Sequence, residues 1–144
     1  MHVLVTGATG LIGGAVARRL AAAGHEVVGL ARSAASASKL TEMGYQAAHG
    51  DLEDAATIAA AVRGVDAVVH AASPNDQNSA AYDEGATRAI IDALRSTSKR
   101  FVYTSGCFLY GATGDTPATE ESRLDPLELV RLSAVSTNGT DLRL

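Results

Sequence analysis

Short β-branched runs alternate along the chain with alanine-rich stretches of helical length. That alternation predicts repeated strand–helix–strand units and a parallel sheet covered on both faces. Residues 2–6 (HVLVT) are the first apolar run, and residues 11–23 follow with apolar positions at Ile12, Ala15, Val16, Leu20 and Ala23 before Gly24. The spacing predicts a helix with one buried stripe, which Arg19 interrupts and must leave by extending its stem toward water. Residues 26–31 (EVVGLA) predict a second strand, residues 36–43 a short helix stopped by Gly44, and residues 46–48 a weaker third strand. Asp54 is placed to cap a helix running through Ile58 and Val62 to Gly64, and residues 66–70 (DAVVH) predict a fourth strand. Residues 80–97, with Ala86, Ile90, Ile91 and Leu94 on one side, predict a long helix, and residues 100–104 (RFVYT) a fifth strand. From Ser105 on, Gly, Pro, Ser and Thr dominate around one amphipathic stretch at residues 124–132 and a polar tail.

Five strands connected in this way by right-handed crossovers predict an α/β fold: a Rossmann-type doubly wound parallel sheet in the order 3-2-1-4-5, in three layers. No repeat, low-complexity tract or linker interrupts residues 1–144. A single domain is therefore expected, with residues 1–104 as its core and residues 105–144 as loop, short helix and tail.

Composition narrows the partners. The 28 alanines and 14 glycines among 144 residues suit helices packed closely on a sheet. Sixteen acidic against twelve basic residues give a net charge of −4, and the basic ones are scattered, so neither nucleic acid nor an anionic membrane surface is an expected partner. The single cysteine, Cys107, excludes a disulfide framework and a cysteine-based zinc site; its expected role is burial in a reducing compartment. Four isolated histidines do not make a metal site either. No apolar run approaches the roughly 20 residues of a membrane span. The N-terminus enters a strand-like run with no charged leader or cleavage site, and a cytoplasmic location is expected.

The segment TGATGLIG at residues 6–13 carries the chemistry. Its glycines fall directly after the first strand and open the first helix. Gly7 permits a tight turn, Gly10 lets backbone amides approach a pyrophosphate, and Gly13 lets the helix pack against the strand, while the helix N-terminus adds partial positive charge. Gly7, Thr9, Gly10, Leu11, Ile12 and Gly13 are thus the expected pyrophosphate side of a dinucleotide site; the alternative is a turn that merely ends a strand. Arg32 lies 32 − 13 = 19 residues beyond the third glycine, at the end of the second strand. An NAD enzyme usually places an acid there for the ribose hydroxyls. An arginine can instead fork onto a 2′-phosphate and stack on adenine, with Ser33 as a second donor. NADP(H) is therefore favoured, with NAD(H) allowed; the alternative is a solvated surface arginine.

TGATGLIG resembles the TGxxGxxG motif of the short-chain dehydrogenase/reductase superfamily. GDL at residues 50–52, HAAS at residues 70–73 and FVYTSGCFLYG at residues 101–111 resemble later motifs of its extended and atypical branches. Together they are similar to the NAD-dependent epimerase/dehydratase group over about residues 2–123. The resemblance implies that Asp51 and Leu52 flank adenine, that Ala71, Ala72 and Ser73 leave room for the ribose and nicotinamide half, and that Ser105 orients a substrate oxygen, with Thr104 as the neighbouring fallback. The plainer readings are a turn cap for Asp51 and a strand-end turn for Ser105.

The family's proton donor is a tyrosine followed four residues later by a lysine. Here Tyr45, Tyr82, Tyr103 and Tyr110 are followed at that spacing by His49, Ala86, Cys107 and Gly114, and no lysine occurs after Lys99. Arg131 falls near the expected place of the pair. The helix after the fourth strand carries Asp83 and Glu84 instead of the asparagine of extended members, and His70 is read as a structural histidine. Three functions compete. The first is an NADP(H)-dependent oxidoreductase or epimerase-type protein acting on a small carbonyl or hydroxyl substrate. The second is a dinucleotide-binding sensor without chemistry. The third is an inactive fragment, since the superfamily runs to on the order of 250 residues. On that last reading DLRL at the end begins a sixth strand, and the exposed sheet edge takes another segment or a second copy as a homodimer.

Overall fold

The computed structural model describes residues 1–73 and 78–126. In chain order the elements are β1 (His2–Thr6), α1 (Leu11–Ala22), β2 (Glu26–Ala31), α2 (Ala34–Glu42), β3 (Gln46–His49), α3 (Ala55–Arg63), β4 (Ala67–His70), α4 (Ser79–Leu94) and β5 (Arg100–Tyr103), followed by a 3-10 turn at Cys107–Tyr110. The strands form one sheet in the order β3-β2-β1-β4-β5, and each neighbouring pair is parallel. This is the doubly wound order read from the sequence. β1 lies at the centre, with Val3 beside Val27 of β2 and Ala67 of β4, and Thr6 beside His70.

Alternation along each strand divides the core in two. Leu4, Val28 and Val68 face Ile58 and Val62 of α3 and Ala86 and Ile90 of α4. Val3, Val5, Val27 and Val69 face the other way, onto Ala17 of α1 and Leu40 of α2. The inner strands β1, β2 and β4, covered on both faces, read as nearly unbroken apolar runs, whereas the edge strands β3 and β5 keep exposed positions such as Gln46, His49 and Val102. No helix among the described residues is long and apolar enough to cross a membrane.

Three local expectations are corrected. The buried stripe of α1 is not Ile12, Ala15 and Ala23, which are exposed, but Gly13, Val16, Ala17 and Leu20, the last two positions flanking the turn that Arg19 occupies on the solvent side. Those positions keep the i, i+3, i+4, i+7 spacing, and Arg19 has no apolar face to escape. The helix α2 begins at Ala34, not residue 36, because Ser33 and Ser36 form a reciprocal capping box ahead of it. The helix α4 ends at Leu94, short of residue 97, where Arg95 caps it in extended geometry and Ser96 takes a left-handed φ of 60°.

The chain divides into two compact units, Met1–Thr104 and Ser105–Leu144. Within the second, the 3-10 turn is followed by Gly111 at φ 69°, and the Asp125 amide donates to the Leu109 carbonyl at 3.0 Å. Cys107 is exposed on this turn rather than buried, since a single 3-10 turn presents no apolar face to a core. Residues 124–126 are not helical. The remainder of the amphipathic stretch, Arg131, the polar tail and the terminal DLRL lie outside the described residues.

Candidate functional site

The strands β1 and β4 are neighbours, yet α1, which follows β1, covers one face of the sheet and α4, which follows β4, covers the other. Their loops part at the carboxyl ends of the strands, and such a switch point leaves a crevice. A cleft of about 620 Å³ occupies that position.

The turn after β1 forms one wall. Gly7 sits at φ 71°, in the left-handed region, and a Cβ there would stand 2.8 Å from the Ala71 carbonyl oxygen and 2.9 Å from the Ala72 Cα. The turn closes with the Gly10 amide on the Gly7 carbonyl at 2.8 Å. Gly10 then precedes α1 with no side-chain cap, and the first helical hydrogen bond back to it comes from the Gly14 amide at 3.0 Å. The amides of Leu11, Ile12 and Gly13 therefore have no acceptor ahead of them in the helix, which makes the helix start a donor-rich, partially positive anion seat. The Leu11 and Ile12 side chains are 90% and 54% exposed at its rim. A bare turn that only ended the strand would not need three glycines, two of them without room for a Cβ.

Eleven of the sequence-assigned cofactor residues meet at the cleft: Gly7, Thr9, Gly10, Leu11 and Ile12 from the turn, Arg32 from the end of β2, Asp51 and Leu52 after β3, and Ala71, Ala72 and Ser73 after β4. Gly13 does not line it. It lies behind the turn, where a Cβ would meet the Gly7 carbonyl carbon at 2.6 Å, so its part is to let helix and turn touch. Ser33 does not line it either. Its Oγ accepts the Ser36 amide at 3.2 Å as the cap of α2, and Ser36, which lines the cleft, donates its own hydroxyl to the Ser33 carbonyl at 2.8 Å. Arg32 is exposed and has no hydrogen bond or ion pair among the described residues. Asp51 lines the cleft and also serves its own turn: its Oδ1 accepts the Glu53 amide at 3.2 Å, and its amide donates to Thr57 Oγ1 at 3.2 Å. Ser105 is exposed directly after β5, as the first residue of the second unit.

Sequence reasoning missed Thr6, Leu30, Ser36 and Tyr82, which also line the cleft. It also missed the cluster beneath it. Thr6 Oγ1 lies 2.7 Å from His70 Nδ1, His70 Nε2 lies 3.1 Å from Asp83 Oδ1, and the Tyr103 hydroxyl donates to Asp83 Oδ2 at 2.6 Å. The His70 and Tyr103 rings stack at a centroid separation of 5.8 Å. His70 is 1% exposed. Burial, then the hydrogen bond to Asp83 and its negative charge, push the Tyr103 phenol well above the usual tyrosine value. The only sequence signal was a histidine at the end of an apolar strand and an acid one helix later.

The geometry suits a dinucleotide on two counts: the turn takes no side chain where a pyrophosphate needs backbone, and a cation unpaired among the described residues stands at the end of β2. Comparison with known proteins agrees. A family model described as NAD(P)H-binding matches residues 7–129. An uncharacterized protein of Schizosaccharomyces pombe is 38% identical over 118 residues, covering 79% of this chain and 40% of that protein. The NAD(P)H azoreductase of Xenophilus azovorans is 37% identical over 118 residues, covering 80% of this chain and 38% of the relative. Among solved structures, a short-chain dehydrogenase/reductase superfamily protein from Agrobacterium tumefaciens with bound NAD superposes at a TM-score of 0.72 and 26% identity, over 94% of this chain and 42% of that one. The chain thus spans about 40% of the length of these two curated relatives.

Proposed function

Because the chain belongs to the NAD(P)H-binding family and is built as a short-chain dehydrogenase/reductase, we propose that it is the cofactor half of an NADP(H)-dependent oxidoreductase or epimerase-type enzyme. The substrate is a small molecule with a carbonyl or hydroxyl group. The observation that carries the cofactor choice is Arg32, exposed and unpaired at the cleft among the described residues, with no carboxylate beside it on β2 to take ribose hydroxyls. A guanidinium in that place favours a 2′-phosphate.

On this reading the amides opening α1 hold the pyrophosphate, Asp51 and Leu52 take the adenine, and the small side chains at residues 71–73 leave room for the ribose and nicotinamide. The dinucleotide supplies hydride transfer. Ser105 is assigned the substrate-orienting hydroxyl on its motif alone. The name of the Xenophilus relative favours reduction as the reaction class. A cytoplasmic location, the lack of nucleic-acid and membrane partners, and homodimer formation belong to the same proposal.

A second reading, a dinucleotide sensor without turnover, is favoured by two specific observations. None of the four tyrosines is followed at +4 by lysine, and Tyr103 holds its proton tightly against Asp83. Titration with NADPH and NADH, followed by a screen of carbonyl substrates, separates the two. Preference for NADPH with turnover supports the enzyme, and tight binding without turnover supports the sensor. Preference for NADH removes the role given to Arg32.

A further inference from the structure

The hydrogen bonds beneath the cleft have a direction, and it follows from counting lone pairs. Thr6 Oγ1 accepts the Ala71 amide at 3.1 Å and the Ala72 amide at 3.2 Å. A hydroxyl has two lone pairs and one proton, so both acceptor positions are filled. Its proton can only go to the third neighbour, His70 Nδ1 at 2.7 Å. Nδ1 is then bare, the ring proton sits on Nε2, and Nε2–H donates to Asp83 Oδ1 at 3.1 Å. Asp83 accepts again from Tyr103 at its other oxygen, 2.6 Å away. Asp83 and Tyr103 thereby choose the tautomer of His70, and His70 chooses the orientation of the Thr6 hydroxyl.

We infer that Asp83, His70 and Thr6 are positioning residues for dinucleotide binding: through one ordered chain of hydrogen bonds they hold the Ala71–Ala72 backbone as the floor of the cleft. That backbone cannot drift harmlessly, because Gly7 lies against the Ala71 carbonyl with no room for a Cβ. A second proton on His70 breaks the order. The ring would then present Nδ1–H to Thr6, leaving three donors, the ring and the Ala71 and Ala72 amides, for two lone pairs. One amide loses its partner and the floor loosens. The groups that face His70 from the packed elements are the Thr6 hydroxyl on β1, the Asp83 carboxylate on α4 and the Tyr103 phenol on β5. The inference rests on the dinucleotide reading of the cleft, but the ordered chain itself exists without ligand.

The test uses the full chain, and its first part needs no cofactor. Nitrogen-15 spectra of labelled histidine are expected to report the Nε2–H tautomer of His70 at neutral pH, with slow exchange of the Ala71 and Ala72 amides. In the second part, the Kd for NADPH is compared between wild type and Thr6 variants. Thr6→Val removes the acceptor and is expected to quicken exchange at both amides and to raise the Kd about tenfold, the effect of leaving a buried amide unpaired. Thr6→Ser keeps the hydroxyl and is expected to retain slow exchange and the wild-type Kd. An Nδ1–H tautomer, fast exchange at Ala71 and Ala72 in the wild type, or a folded Thr6→Val chain that keeps the wild-type exchange and Kd overturns the inference. If Thr6→Val does not fold, the wild-type tautomer and exchange still decide it. A wild-type chain that binds neither NADPH nor NADH overturns the cleft reading, and with it the binding role, while the tautomer and exchange data judge the hydrogen-bond chain separately.

Discussion

Gly13 and Gly7 touch through backbone alone: a Cβ on residue 13 would stand 2.6 Å from the Gly7 carbonyl carbon. The neighbour in the way is main chain, which cannot rotate aside as a side chain would. Gly13→Ala is therefore expected to cost about 1–3 kcal/mol of stability, as other overpacked positions do, and to weaken dinucleotide binding by moving the start of α1 off the turn. Urea unfolding and cofactor titration on the same sample check both. An unchanged unfolding midpoint would mean that the turn relaxes freely.

Arg32→Asp places a carboxylate where a 2′-phosphate is expected. Loss of one charge-assisted contact corresponds to about a tenfold to hundredfold weaker affinity, and it should fall on NADPH alone, with NADH binding held or improved. Isothermal titration with both cofactors reads the ratio. Equal loss for the two forms would sink the assignment.

Ser33 precedes α2 as its cap, with Oγ accepting the Ser36 amide at 3.2 Å. Ser33→Ala is expected to lower stability by about 1 kcal/mol and to leave the NADPH-to-NADH affinity ratio as it was. A shift in that ratio would restore Ser33 as a phosphate donor.

Thr87 Oγ1 is buried on α4 with no hydrogen-bond partner among the described residues. A hydroxyl dehydrated without compensation is a net cost, and valine has the same shape without it. Thr87→Val should raise stability by about 1 kcal/mol, seen as a higher urea midpoint at an unchanged slope. A loss of stability would reveal a partner for that hydroxyl.

Tyr103 binds its proton more tightly in the folded chain than in the unfolded one, through burial first and Asp83 second. Its contribution is fully present below the unfolded tyrosine pKa of about 10. Above that pH the unfolded chain releases the proton while the native state keeps it, so ν_U is less than ν_N and stability falls as pH rises. Wild type should lose stability above pH of about 10 more steeply than Tyr103→Phe, which carries no phenol to ionise. Parallel slopes would show that the Asp83 contact does not hold the proton.

Much of this could be read without coordinates, and the reason lies in periodicity. Runs such as VLV and AVVH are apolar at every position because both faces of the sheet are covered, and the alternation with helices then leaves few strand orders to choose from. The motif TGATGLIG was equally legible, since its glycines answer to backbone geometry within eight residues. The stripe of α1 was misread because glycine does not count as apolar, yet Gly13 is buried by how near the helix comes to the turn.

Side-chain identity at the cleft was harder. Ser33 and Ser36 stand three residues apart with the same chemistry, and only the folded capping box shows that each hydroxyl is occupied by the other residue's backbone, with Ser36 rather than Ser33 at the cleft wall. The chain from Thr6 to His70, Asp83 and Tyr103 joins four elements across sequence separations of 64, 13 and 20 residues. No local pattern announces such a cluster. The sequence by itself determined the sheet, its order and the glycine turn, because those follow from local geometry and the burial of apolar faces. Only the tertiary structure decided which polar groups meet, because hydrogen bonds depend on distances and lone pairs that are set when β1, β4, α4 and β5 pack together.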